Sequence, residues 1–143
     1  MACSASNIED AVVVAYADGG SRGNPGPAGI GALLQRDGVT VAEISEAIGV
    51  ATNNVAEYTA LIRILEKALE LGFKKIQVRM DSELAVKQMK GLYKVKNEGL
   101  LPLFQQAQVL SKRFDLFSII HVRREMNKEA DKLANQAMDA ITT

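Results

Sequence analysis

The chain has 143 residues, 48% of them hydrophobic, which suits one globular domain with a single core. Its 17 Lys and Arg balance 17 Asp and Glu, so it is not built to coat polyanions by bulk charge. No run approaches the ~18 apolar residues of a membrane span, and the lone cysteine, Cys3, cannot form an internal disulfide.

The N-terminal "MACSASNIED" has no basic segment followed by an apolar one, so export is not expected. A single thiol fits a reducing cytoplasm, and nothing near Cys3 would lower its pKa to make it a nucleophile. Residues 1–9 read as a flexible tail and 10–141 as one domain. The neutral total hides an asymmetry. Residues 1–70 carry 4 Lys/Arg against 9 Asp/Glu, and residues 71–143 carry 13 against 8. Lys87, Lys90, Lys94 and Lys96 lie in the densest basic stretch, which is either a phosphate-facing patch or a solvated helix face.

Val12–Asp18 is β-branched-rich and reads as a buried strand. Nine residues, Gly19 to Pro27, then separate it from the next apolar run, whereas hairpins usually close in about two to five. Ala28–Arg36 and Val39–Ala47 read as two further strands joined by Asp37-Gly38, a tight-hairpin signal. A helix is expected over Asn54–Leu71, with Tyr58, Leu61, Ile62, Leu65, Ala68 and Leu69 as its apolar stripe. Asn54 and Glu57 have capping-box spacing, and Gly72 suits a stop.

"KKIQVRMD" alternates as a strand does. Ser82 is placed to cap a short helix reaching Lys90, and a longer helix follows over Leu100–Arg113. "LFSIIHVR" is the last strand, and Asn127 is placed to cap a final helix. The order βββαβααβα describes an α/β domain. Its mixed sheet begins as a meander, continues with strands separated by helices, and is flanked by those helices.

Two strands finish on a carboxylate, Asp18 and Asp81, which emerge at one edge if those strands are parallel neighbours. Glu57 and Asp131 each fall in the first turn of a predicted helix, where the macrodipole by itself favours acids. Gathered together, the four have a different meaning. Carboxylates ~4 Å apart repel by about 4 kcal/mol per pair at an effective dielectric near 20, so the cluster calls for protons or cations. Oxygen ligands without a Cys/His cluster suit Mg²⁺ or Mn²⁺. Two such ions ~3.5–4 Å apart can bind one phosphate, one activating water and the other stabilising the leaving oxygen.

"YADGGSRGNPGPAGIG", "TNNVAEYTALI", "MDSELAVKQMKG" and "REMNKEADKLANQA" resemble the four motif blocks of type 1 ribonuclease H, in order and spacing, over nearly the whole chain. The resemblance implies a ribonuclease H-like fold with a five-stranded mixed sheet, a three-strand antiparallel meander plus parallel strands. It also implies a metal-dependent endonuclease that cuts the RNA strand of an RNA–DNA hybrid and leaves a 5′-phosphate and a 3′-hydroxyl. Asp18, Glu57, Asp81 and Asp131 match the metal ligands, with two Mg²⁺ as cofactor and Mn²⁺ as a substitute. Gly19, Gly20, Ser21 and Arg22 match the segment that approaches RNA 2′-hydroxyls, the group that distinguishes RNA from DNA. Asn24, Thr52, Asn53, Asn54 and Ser82 match hybrid-contacting positions. Asn54 is therefore claimed both by a cap and by a contact.

The chain departs from better-known members in two places. His121 lies within the final strand, and "HVRREMNKEAD" is too short for a loop bearing a catalytic histidine. The chain thus resembles a compact branch in which an arginine assists product departure. Arg124 is the candidate and Arg123 the near alternative, acting by hydrogen bonds because arginine stays charged; the alternative is a solvated strand-end arginine. "GLYKVKNEG" stands where some members insert a tryptophan-rich basic helix, so a shallower salt dependence of binding is expected. A monomer without an obligate protein partner is expected. Rival readings are an exonuclease or strand-transferase of the same superfamily, and a module that grips hybrids without cutting. The latter gains nothing from four clustered negative charges.

Overall fold

The computed structural model describes Ile8 and residues 10–142. Strands β1 (Val12–Ser21), β2 (Gly26–Arg36) and β3 (Val39–Ala51) lead into helix α1 (Asn53–Glu70) and strand β4 (Lys75–Met80). Helices α2 (Glu83–Met89) and α3 (Leu101–Ser111), strand β5 (Leu116–His121), a 3-10 turn at Arg124–Met126 and helix α4 (Lys128–Thr142) complete the order. The sheet runs β3-β2-β1-β4-β5. β1, β2 and β3 form the antiparallel meander, and β4 and β5 run parallel to β1. This is the expected five-stranded mixed sheet flanked by helices, with His121 at the exposed end of β5.

The α1 stripe forms as its periodicity predicts. Tyr58, Leu61, Ile62, Leu65 and Ala68 are buried against Val13, Ala15 and Ala17 of β1 and Ile30, Ala32 and Leu34 of β2. Full burial of each large apolar side chain is worth about 1.5–3 kcal/mol. Helix α4 packs on the opposite face. There a Cβ on Gly31 would overlap the Ala130 carbonyl oxygen and the Ala134 nitrogen, so only glycine lets α4 come this close. Gly31 is the register partner of Asp18, which therefore faces the layer that carries Asp131.

Three local expectations are corrected. β1 does not stop at Asp18. Gly19, Gly20 and Ser21 continue the ladder opposite Ile30, Gly29 and Ala28, leaving a connection of Arg22–Pro25. Gly19 faces α1, where a Cβ would overlap the Ala56 carbonyl, so this glycine admits a helix and does not break a strand. Helix α1 begins at Asn53, capped by Thr52 Oγ1, which accepts from the Val55 N–H at 3.2 Å. The Asn54–Glu57 capping box is absent, and Glu57 falls beyond the first turn. Asn127 opens α4 with its backbone carbonyl, which accepts from the Asp131 N–H at 3.0 Å; its side chain points elsewhere.

Ile8, read as part of the N-terminal tail, is half-buried against the core. The rest of that tail other than Ile8, Cys3 included, lies outside the described residues. Among the described residues no helix is long and apolar enough to cross a membrane.

Candidate active site

β1 and β4 are parallel neighbours in which Ala17 pairs with Met80, so Asp18, still within β1, and Asp81, just past the end of β4, stand side by side. Asp18, Glu57 and Asp81 offer carboxylate oxygens that all lie within 4.8 Å of one another. Asp131, in the first turn of α4, faces the same cleft from the other layer, outside the group of three, and its charge adds to that around Asp18. Four acids far apart in sequence thus meet at one end of the sheet.

Their electrostatics follow from burial. Asp18 is 9% exposed. Loss of water raises its pKa from 3.8 to about 8, with Asp81, Asp131 and Glu57 adding to the rise. Burial also raises Glu57 from 4.5 to about 7; a hydrogen bond from Ser82 opposes the rise and the charge of Asp81 adds to it. A site of oxygen donors that resists ionisation until a counter-charge arrives fits hard divalent cations, and the triad contains neither Cys nor His. The macrodipole alone does not account for Glu57, which lies outside the first helical turn.

The acids line a cleft of about 520 Å³. Gly19, Gly20, Ser21, Arg22 and Asn53 also border it, as do Arg124, Asn135 and Met138. Asn53 organises the wall formed by the end of β1. Its Oδ1 accepts from Ser21 N at 2.8 Å, and its own backbone N–H donates to Asn24 Oδ1 at 3.1 Å. Arg22 pairs with Asp139 of α4. Arg124 Nη2 stands 3.7 Å from Asp131 Oδ1, and it is Arg124 that borders the cleft.

Other predicted positions support the site without lining it. Thr52 caps α1, while Asn54, relieved of the capping role, is exposed. Ser82 is buried and its Oγ accepts from the Ala85 N–H at 3.2 Å. Lys87 lies 3.3 Å from Glu83 and 4.9 Å from the Tyr93 ring centroid, whereas Lys90, Lys94 and Lys96 are exposed. Asn135 and Met138 were missed by the sequence reading. Their spacing of four and seven residues from Asp131 places all three on one helical face, a signal that was available.

A family model described as "Reverse transcriptase-like" matches residues 16–137. The ribonuclease HI of Halobacterium salinarum is 49% identical over 128 residues, covering 89% of this chain and 64% of the relative. Its crystal structure superposes with a TM-score of 0.88 at 48% identity, covering 90% of this chain and 98% of that one. This chain belongs to the type 1 ribonuclease H family. Bifunctional protein Rv2228c of Mycobacterium tuberculosis is 55% identical over 130 residues, which are 90% of this chain but 36% of the relative. The chain thus spans about a third of that relative's length. LC11-RNase H1, isolated from compost, was solved in complex with an RNA/DNA hybrid; it matches with a TM-score of 0.87 and 45% identity over 92% of this chain and 99% of that one. This ribonuclease H chain is of the compact type, with residues 91–99 crossing directly from α2 toward α3.

Proposed function

We propose that this ribonuclease H chain cuts the RNA strand of RNA–DNA hybrids internally, leaving 5′-phosphate and 3′-hydroxyl ends, as a monomer in the cytoplasm. Asp18, Glu57, Asp81 and Asp131 hold two divalent cations, Mg²⁺ foremost with Mn²⁺ as a substitute. The carrying observation is the approach of three carboxylates to within 4.8 Å in a site that burial makes reluctant to ionise. Bound cations supply charge neutralisation at the phosphate and a lowered pKa for water.

The chain's own groups account for selectivity. β4 pairing ends at Ala17, so the β1 edge beyond it is uncovered by strand. The Ala17 carbonyl and the Ser21 N–H both bond side chains on that edge, and strand alternation places the Gly19 N–H and carbonyl there too. Those groups are suited to a ribose 2′-hydroxyl, which both donates and accepts. Thr52, Asn53, Asn54 and Asn24 form a polar shoulder for the backbones of the two strands, and Ser82 holds Glu57. Arg124 attracts the departing phosphate by charge-assisted hydrogen bonds.

The test is cleavage of labelled hybrid with blocked ends, beside duplex RNA and duplex DNA, with and without Mg²⁺. Internal cuts confined to the RNA of the hybrid, dependent on Mg²⁺ and lost in Asp81→Asn, are expected. Digestion only from free ends, or normal cutting by Asp81→Asn, overturns the reading.

A further inference from the structure

We propose that Asn127 is a positioning residue whose side-chain amide holds Asp81 and the end of β1 in the arrangement that binds divalent cations. The inference rests on the reading of the acidic cleft as a cation site, and it adds a residue that the four-carboxylate assignment leaves out.

Asn127 is 1% exposed. Its Nδ2 donates to the Ala17 carbonyl at 2.9 Å and lies 3.5 Å from Asp81 Oδ1, while its own carbonyl accepts from the Asp131 N–H at 3.0 Å. One buried residue therefore ties together the neighbour of Asp18, Asp81 itself and the turn that presents Asp131. The amide's orientation is forced. Turned over, it would set an oxygen against two acceptors.

The price of this orientation is visible. Asn127 Oδ1 is buried and has no hydrogen-bond partner. Buried acceptors are normally satisfied, and an asparagine ahead of a helix normally uses this oxygen to cap the first turn. Here the cap is given up so that the donor faces Ala17 and Asp81. A donor is what that place needs, because Asp81 stands among Asp18 and Glu57. A hydrogen bond to one of its oxygens fixes the carboxylate plane, leaving the other oxygen outside that bond.

The test compares wild type, Asn127→Ala and the similarly sized Asn127→Leu, with Ile119→Val as a destabilised control remote from the cleft. Mn²⁺ affinity is read by calorimetry without nucleic acid, together with thermal unfolding and the Mg²⁺ concentration giving half-maximal hybrid cleavage. Both Asn127 variants are expected to bind Mn²⁺ about 10–100-fold more weakly and to need correspondingly more Mg²⁺. Most of the maximal rate should return at saturation, and the control should keep wild-type affinity. Unchanged Mn²⁺ affinity in a folded Asn127 variant overturns the proposal, however far its melting temperature falls. Failure of both variants to fold also overturns it, by marking Asn127 as architectural. If wild type binds Mn²⁺ and the variants bind it weakly, but no hybrid is cut, the nuclease reading fails and this one stands.

Discussion

The Arg124 guanidinium stands 3.7 Å from the Asp131 carboxylate at the rim of the cleft, with 79% of the arginine side chain in solvent. So exposed a pair contributes little to stability, about 0–1 kcal/mol. Its positive charge at the acidic rim is the more consequential feature. Arg124→Ala is expected to melt within about 2 °C of wild type yet cut hybrids at least ~10-fold more slowly, with Arg124→Lys restoring part of the rate. Steady-state kinetics decide it, and Arg123→Ala serves as the control. Equal losses in the two alanine variants would remove Arg124 from its role.

Asp18 and Glu57 carry folded pKa values raised to about 8 and about 7 from 3.8 and 4.5. Each therefore binds its proton more tightly when folded. Their contribution to stability is full below about pH 4 and is lost as pH rises through 7 and 8. In chelator, the melting temperature of wild type should fall relative to Asp18→Asn as pH rises from 5 to 8. At pH 8 Asp18→Asn should be the more stable by about 1–3 kcal/mol, and it should be inactive. Mn²⁺ should close the gap from the wild-type side only. Calorimetry across that window checks the sign; a gap that narrows with rising pH in chelator contradicts the burial of Asp18 as an acid.

Gly31 sits where α4 crosses the sheet, and a methyl group there meets helix backbone that cannot rotate away. Gly31→Ala should cost about 1–3 kcal/mol and should weaken Mn²⁺ binding, since α4 carries Asp131. Denaturant unfolding and metal titration measure the two effects. A variant of unchanged stability would show that α4 is not seated this closely.

Lys87 is engaged by Glu83 and Tyr93, so the basic stretch offers Lys90, Lys94 and Lys96 as its exposed cations there. Each phosphate neutralised contributes about 0.9 to the slope of log affinity against log salt on duplex DNA. Hybrid binding by Asp18→Asn in Ca²⁺ should show a shallow slope, corresponding to a handful of phosphates. A slope near that of ten contacts would mean a larger basic surface than the one seen.

The four acids were legible because each stands at a local landmark. Asp18 and Asp81 end β-branched or alternating runs, and Glu57 and Asp131 lie near helix starts, features set within a few residues. The capping of α1 was misplaced by reading Asn54 and Glu57 as a pair. Thr52 carries a competing hydroxyl two residues earlier, and the choice depends on where β3 delivers the chain. Gly19 and Gly20 looked like loop because glycine is poor in strands; the reason for Gly19 lies in α1, whose backbone a Cβ there would overlap, and only the packed molecule displays it.

By itself, the chain's pattern of apolar periods and turn residues determined the order of strands and helices and put forward the four acids as candidates. These depend on short-range sterics and hydrogen bonding, which neighbouring residues settle. Tertiary structure decided that β1 and β4 lie parallel and adjacent, that Asn127 turns from its helix to Ala17 and Asp81, and that Asp18 is dry enough to hold its proton. Those outcomes depend on desolvation and on charges brought together from opposite parts of the chain, and such energies exist only once the distances between them are set.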